Sequence, residues 1–371
     1  MRTPPADRPL VRRLRLPGTR LLSLCVLPAL LAAPAAPALQ DLSALAAAIT
    51  APKDDAQLSA IAETLNAFLA SPVVPRRRVG YVIERRTRVS AEAIFSSGPL
   101  ALGTRAVPPE ILAALQRATH DDNPRVGVEA LYAFGVLAIR PTGADRRDLL
   151  RASGPDLVSF LGSQDPAMRY GALRVIGRLF ERRAADPPVD AVVGDAVINA
   201  LNEHDATLRV AAMEALGSMR EERAAQGLAD LFGYYGRGTE ADAALDSLAR
   251  IAHASSAPVF TAALAAGSPA QRVIAIEGLA RLGDAAALPA IQAAAGRDRS
   301  DAMSLALTFA AAALANGAID PLVDALGRPK LRDQARGYLV DLAPARRADL
   351  DRLPQQPGVG DVLALARLRE R

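Results

Sequence analysis

The strongest constraint on the fold of this chain is a short motif that keeps returning. Residues 205–217 read DATLRVAAMEALG, which puts Leu208, Ala211, Ala212, Ala215 and Leu216 at i, i+3, i+4, i+7 and i+8. That spacing lays one apolar stripe along an α-helix. Asp205 is a good N-cap, since its carboxylate can accept from the free amides of the first turn. Gly217 follows the last apolar position, where a left-handed helix stop is easiest for glycine, and the helix is expected to end there. The motif stands 40 residues earlier as DPAMRYGALRVIG (165–177) and another 42 earlier as NPRVGVEALYAFG (123–135); downstream it is SPAQRVIAIEGLA (268–280). Asn123, Asp165 and Ser268 are all capping types, each followed by proline. Proline at the first helical position loses nothing, because that amide has no helical partner.

Weaker copies run through Ala241–Ala249, Ser300–Ala312 and Lys330–Ala343, and Ala249, Ala280, Ala312 and Ala343 are spaced 31, 32 and 31 residues apart. A second helix keeps step with the first. Its marker is an early proline at Pro258, Pro289 and Pro321, again 31 and 32 apart. Two helices per period of 31–32 residues describe a solenoid, in which each unit has apolar faces that only its neighbours can bury. The expected fold is therefore all-α: a right-handed superhelix of stacked helix pairs.

The consensus resembles HEAT repeats, in particular the short bacterial subclass named after phycobilisome lyases. The residues that carry the resemblance are Asp165, Pro166, Arg169 and Gly177, then Asp205, Arg209 and Gly217, then Pro269 and Arg272. It spans roughly residues 106–345. It implies a HEAT-like or armadillo-like array in which the Asp and Arg of successive units line an inter-repeat ladder. The pattern is loose in places: Gly127 stands where the arginine is expected, Gln271 falls on the apolar stripe, and Ala280 replaces the closing glycine.

The N-terminus is a separate object. Six arginines between Arg2 and Arg20 precede the apolar run 21–32, and Ala36-Pro37-Ala38 supplies small residues for cleavage. This is the three-part layout of a secretory signal peptide, and cleavage is expected after Ala38. The alternative is an uncleaved N-terminal anchor. Cys25 follows Leu24 and makes a poor lipoprotein site. The chain holds 44 basic and 40 acidic residues. Residues 1–38 take six arginines and Asp7 with them, which leaves 38 basic and 39 acidic residues. The basic character belongs to the leader and gives no case for nucleic-acid binding. Cys25 is the one cysteine of the chain, so the part after the leader can have no disulfide, no thiolate metal site and no cysteine nucleophile.

Beyond the leader, residues 39–105 are expected to form an N-terminal helical cap, with Leu42, Leu45, Ala46 and Ile49 on one stripe and Leu58, Ile61, Leu65 and Phe68 on the next. The run from Arg76 to Arg88 reads either as a basic patch or as the solvated face of a helix. The array occupies 106–345, and 346–371 form a closing helix. The longer spacings of 42 and 40 need extra turn residues, which are placed at 140–144 and 183–188. A loop is expected at 233–239, where Tyr234, Tyr235 and Arg237 are the candidate partner surface; one of the tyrosines could instead plug the seam between repeats.

His120, His204 and His253 are the three histidines, and none has another at helical spacing. The chain holds no phosphate loop ending in Lys-Ser/Thr, no nucleophile elbow and no haem-attachment motif. The expectation is an exported, periplasmic or secreted, non-enzymatic scaffold without cofactor or metal. It would bind a protein or peptide in a groove lined by the second helix of each pair, and would touch membrane only through an uncleaved signal. The alternative, by resemblance to bilin lyases, is a lyase-like or enzyme-accessory protein holding a small ligand in that groove.

Overall fold

The computed structural model describes residues 42–71, 90–294, 296, 298–353 and 355–371. The expected leader, residues 1–38, and the basic run at 76–88 lie outside the described residues. Within them every regular element is a helix, apart from one isolated bridge between Leu69 and Leu102. The chain opens with α1 (Leu42–Ile49), α2 (Asp54–Phe68), α3 (Ala91–Ser96) and α4 (Pro109–Ala118). Then pairs follow, the capped helix first: α5 (Pro124–Leu137) with α6 (Gly143–Phe160), α7 (Pro166–Leu179) with α8 (Ala191–Asn199), α9 (Ala206–Met219) with α10 (Ala225–Tyr235), and α11 (Thr239–Ile251) with α12 (Ala257–Ala266). Next come α13 (Pro269–Leu282) with α14 (Leu288–Ala294) and α15 (Asp301–Ala315) with α16 (Asp320–Ala325), and the chain finishes with α17 (Arg332–Leu350) and α18 (Val359–Glu370). The fold is an α-solenoid.

The caps work as their residue types require. Asn123, Asp165 and Asp205 accept from the backbone amides of Arg125, Ala167 and Thr207 at 3.0, 2.9 and 2.7 Å. Ser268 forms a reciprocal capping box: its Oγ accepts from the Gln271 amide, and Gln271 Oε1 accepts from the Ser268 amide. This accounts for the glutamine on the apolar stripe. Gln271 is 2% exposed, and its Nε2 donates to the Gly236 carbonyl and to Asp242, both at 3.0 Å. Replacing Ser268 by alanine is expected to cost about 1 kcal/mol, read as a lower urea midpoint with unchanged m-value.

Gly217 does not end its helix. α9 continues to Met219, and Arg220 takes the left-handed stop at φ 51° and ψ 48°. The motif glycines serve packing instead. A Cβ on Gly135 would sit 2.7 Å from Val175 Cγ2, one on Gly177 2.9 Å from Ala215 Cα, and one on Gly217 2.9 Å from Ser247 Cα. Val175 and Ala215 hold equivalent places in consecutive copies, so the first helices of successive pairs approach closely at a motif glycine in a row. In α13 the tight position moves two residues, to Gly278, where an added Cβ would stand 2.6 Å from the Phe260 ring. Ala280 can therefore stand where glycine was expected.

The first helices α5, α7, α9, α11, α13 and α15 pack side by side in this order, whereas the second helices meet one another far less. A row packed closely on one side and splayed on the other curves toward the close side. The inner face is therefore built by the first helices, not by the second ones as expected from sequence. α17 and α18 turn onto that inner face: Tyr338 of α17 stacks on Phe309 of α15 at 4.4 Å and donates to Glu277 of α13. α18 then reaches back across the fold, where the Arg369 carbonyl accepts from the Ala184 amide at 2.8 Å and its Nε donates to Glu181 at 3.1 Å. The last helix thus bridges the row instead of only covering its end. Among the described residues no helix is long and apolar enough to cross a membrane.

Candidate functional site

The expected ladder of Asp and Arg is present in altered form. The aspartates are used up as caps. The arginines satisfy the turn before their own helix and then reach the acid of the next turn. Arg169 donates to the Ser163 carbonyl at 2.8 Å and lies 3.5 Å from Glu203. Arg209 donates to the Glu203 carbonyl at 2.8 Å and to Glu240 at 3.2 Å. Arg272 donates to the Gly267 carbonyl at 3.3 Å and lies 3.9 Å from Asp298. These contacts join repeats and leave the inner face to other residues.

That face is a strip of polar side chains set four apart near the ends of the first helices: Arg174 and Arg178 on α7, Glu214 and Ser218 on α9, Asp246 and Arg250 on α11, Glu277 and Arg281 on α13. Residues i and i+4 share one side of a helix, so stacking the helices aligns the pairs. Phe95 of α3 covers one end. Arg178 lies over its ring at 3.9 Å and donates to its carbonyl, and Arg174 is paired with Glu92 at 3.0 Å. Burial pulls the Arg178 pKa down to about 10. Burial also pushes the Tyr132 hydroxyl, in the same corner, up to about 12, with the Glu92 charge adding to the rise. α17 and α18 cover the other end, where Arg281 donates to Glu277 and Asp341, and Arg369 donates to Asp341 and Glu181.

Between the two covered ends lie adjoining cavities of about 360 and 350 Å³ that share Glu181, Ser218 and Arg250. Arg182 and Arg220 line the larger one, and neither guanidinium forms an ion pair or hydrogen bond among the described residues. Arg220 is the residue that holds the left-handed stop of α9. Loss of water lowers its pKa, Asp341 opposes that, and the charges of Arg369 and Arg281 add to the lowering.

The two buried acids of this network titrate in opposite directions. Burial opposes the charge of Asp341, but Arg281 and Arg369 outweigh it and its pKa falls. Burial raises Glu277 despite Arg281 beside it and the Tyr338 hydroxyl that it accepts. A carboxyl raised in the folded state contributes stability that is complete below its ordinary value of 4.5 and is lost as pH rises through the raised native value. Asp341 has the opposite sign and loses its contribution only as pH falls. Glu277→Gln keeps an acceptor for Tyr338 and removes the titration. The Tm of the native chain minus that of the variant should therefore fall as pH climbs from 4.5. A difference that stays flat between pH 4 and 9 would contradict the assignment.

The sequence-predicted surface lies elsewhere. Tyr234 and Tyr235 belong to α10, which runs through Gly233, so the loop expected from Gly233 begins only at Gly236 (φ 64°). Tyr234 is 82% exposed, Tyr235 is half-buried with Arg209 5.8 Å over its ring, and Arg237 is exposed. Tyr234 and Tyr235 end a second helix and Arg237 lies in the loop after it, outside the residues that form the inner strip. Tyr235 meets Arg209 of α9, the first helix of its own pair, so this contact lies within one repeat. The histidines do not converge. His120 stacks on Phe160 and lies 3.8 Å from Asp156, while His253 Nδ1 makes a 2.8 Å contact with Ser255 Oγ. Among the described residues no group of three or more His, Cys, Asp or Glu could hold a metal ion.

The inner strip was missed at sequence level, although it left a signal: charged pairs four apart inside apolar helices, as in Glu277 with Arg281. The sequence model for HEAT repeats matches residues 154–235, which covers α7 to α10. Residues 154–235 thus match HEAT repeats, and the same capped-helix stacking continues on both sides of that span. Solved structures with a similar chain path include an engineered protein (18% identity, TM-score 0.44, covering 82% of this chain and 79% of that one). A complex of CpcE and CpcF of phycocyanin lyase from Nostoc sp. is similar at 16% identity and TM-score 0.39, over 85% and 98% of the two chains. The Kap95:Nup1 complex gives 15% identity and TM-score 0.43, over 88% of this chain and 49% of that one. No curated protein matches the sequence.

Proposed function

We propose that the chain is an exported, non-enzymatic scaffold that holds an acidic segment of a partner protein on its inner face. The observation that carries this reading is the pair Arg182 and Arg220. Both open into the larger inner cavity with no partner of their own among the described residues. Guanidinium groups favour bidentate pairing with carboxylates, and repeat arrays use extended inner surfaces for binding. Within the strip Asp246 pairs with Arg250 and Glu277 with Arg281, which helps to hold the cavity in shape. No catalytic motif stands in the sequence, and the inner strip offers ion pairs in place of a nucleophile with its base. The leader supports export, with a periplasmic or secreted location.

Two measurements test the proposal. A tagged full-length chain, crosslinked in cells and recovered from the envelope fraction, should bring down a defined partner, and Arg182→Glu with Arg220→Glu should lose it. Capture that survives both charge reversals would refute the inner face as the site. The recovered protein should begin at Leu39; a product that keeps residues 1–38 would refute cleavage.

A further inference from the structure

The two longest repeat spacings build something that the regular units lack. The segment after α7 does not run straight into α8. It is pinned by Arg146, which is fully buried and donates to Asp186 through Nε at 3.1 Å and through Nη2 at 3.0 Å, and also to the carbonyls of Leu179 and Glu181. Arg183 pins the segment from the other side by donating to the Ile139 carbonyl at 2.8 Å, which ties it to the earlier insertion. Two consecutive prolines, Pro187 and Pro188, then stiffen the approach to α8. The held loop stands off from α6 and encloses a cavity of about 310 Å³ on the far side of Arg182 from the inner face.

Its walls are apolar, formed by Leu150, Phe180, Pro188, Val189 and Val193, and Val192 next to them is 60% exposed. The volume lies at the small end of the range for ligand pockets, which are mostly apolar with a few placed polar groups. Its charged lining is Arg147, Arg151 and Arg182 with Asp186 and Asp190, and Arg151 is paired with Asp148. Arg147 and Arg182 line the cavity, and their guanidiniums have no partner among the described residues. The acids nearby are already engaged: Asp186 is held by Arg146, and Asp190 caps α8 by accepting from the Val192 amide at 2.9 Å.

We propose that this cavity binds a small apolar molecule carrying a single carboxylate, with its body against Leu150, Phe180 and Val193 and its head paired with Arg147. Apolar walls favour the body through area removed from water, and the unpaired guanidinium supplies the complementary charge. Arg182 lines both this cavity and the larger inner one, whereas Arg147 does not line the inner cavities.

Octanoate is the probe, titrated calorimetrically into the full chain with 1-octanol and octylammonium as controls. Saturable binding of octanoate is expected at one site, at least tenfold tighter than either control. Arg147→Ala should weaken it at least tenfold, and Val192→Trp, at an exposed position beside the cavity, should weaken it by blocking entry. Circular dichroism of each variant should match the parent. Absence of saturable heat with the parent chain, equal affinity for octanoate and 1-octanol, or unchanged affinity in folded Arg147→Ala would each overturn the assignment.

Discussion

Arg146→Ala will destabilise the chain by about 3–5 kcal/mol, the range for removing one partner of a buried ion pair. The side chain is 0% exposed, and Asp186 retains only 9% exposure on its own side chain. Removing the guanidinium leaves that carboxylate without a countercharge and strands the Leu179 and Glu181 carbonyls, which terminate α7. The double variant Arg146→Met with Asp186→Leu should recover most of the loss, because a buried ion pair exchanged for apolar residues is often neutral. Urea unfolding followed at 222 nm checks both. If the double variant is no more stable than Arg146→Ala, the cost does not come from the stranded charge.

Gly177→Ala comes next, and its sign is opposite to what helix propensity alone would give. Alanine in a helix interior is favoured over glycine by about 1 kcal/mol. At Gly177 the added Cβ would stand 2.9 Å from Ala215 Cα and 3.2 Å from Ala215 Cβ, so the backbone of α9 would have to move. A net loss of about 1–3 kcal/mol is expected, with valine worse. Gly233 provides the control. It is also inside a helix, with nothing within 4 Å of a built Cβ, and Gly233→Ala should stabilise by about 0.5–1 kcal/mol. Opposite signs for one substitution at two helical glycines isolate the close approach from propensity.

The helix pairs were legible because their signals are local. A cap residue, a proline after it and a stripe at helical spacing act within one turn or two, so Asp165, Pro166 and Leu173 place α7 without reference to anything distant. The role of Gly177 was legible only as a slot that glycine fills in three of the copies, at 135, 177 and 217. Reading the same slot at Gly217 as a helix stop was wrong, because what excludes a side chain at these glycines sits on the next first helix, Ala215 for Gly177 and Ser247 for Gly217. Which helix of each pair faces inward failed for the same reason. Curvature follows from the difference in spacing between two rows of helices, and no single repeat contains it. Nothing local marks Arg146 for burial, since its partner Asp186 stands 40 residues away. The inner strip could have been found by asking why Glu277 and Arg281 interrupt an apolar helix four residues apart. Its covering by α17 and α18 could not.

The bond from Ala184 to Arg369 ties together positions that an open row would keep apart. In a linear stack each end can fray while the middle stands, because every unit depends on its immediate neighbours. Fastening the tail to the segment after α7 removes that freedom at the C-terminal end, since loosening α18 must also release that segment. Melting should then be one concerted event, in contrast to the stepwise unzipping of a repeat array with free ends.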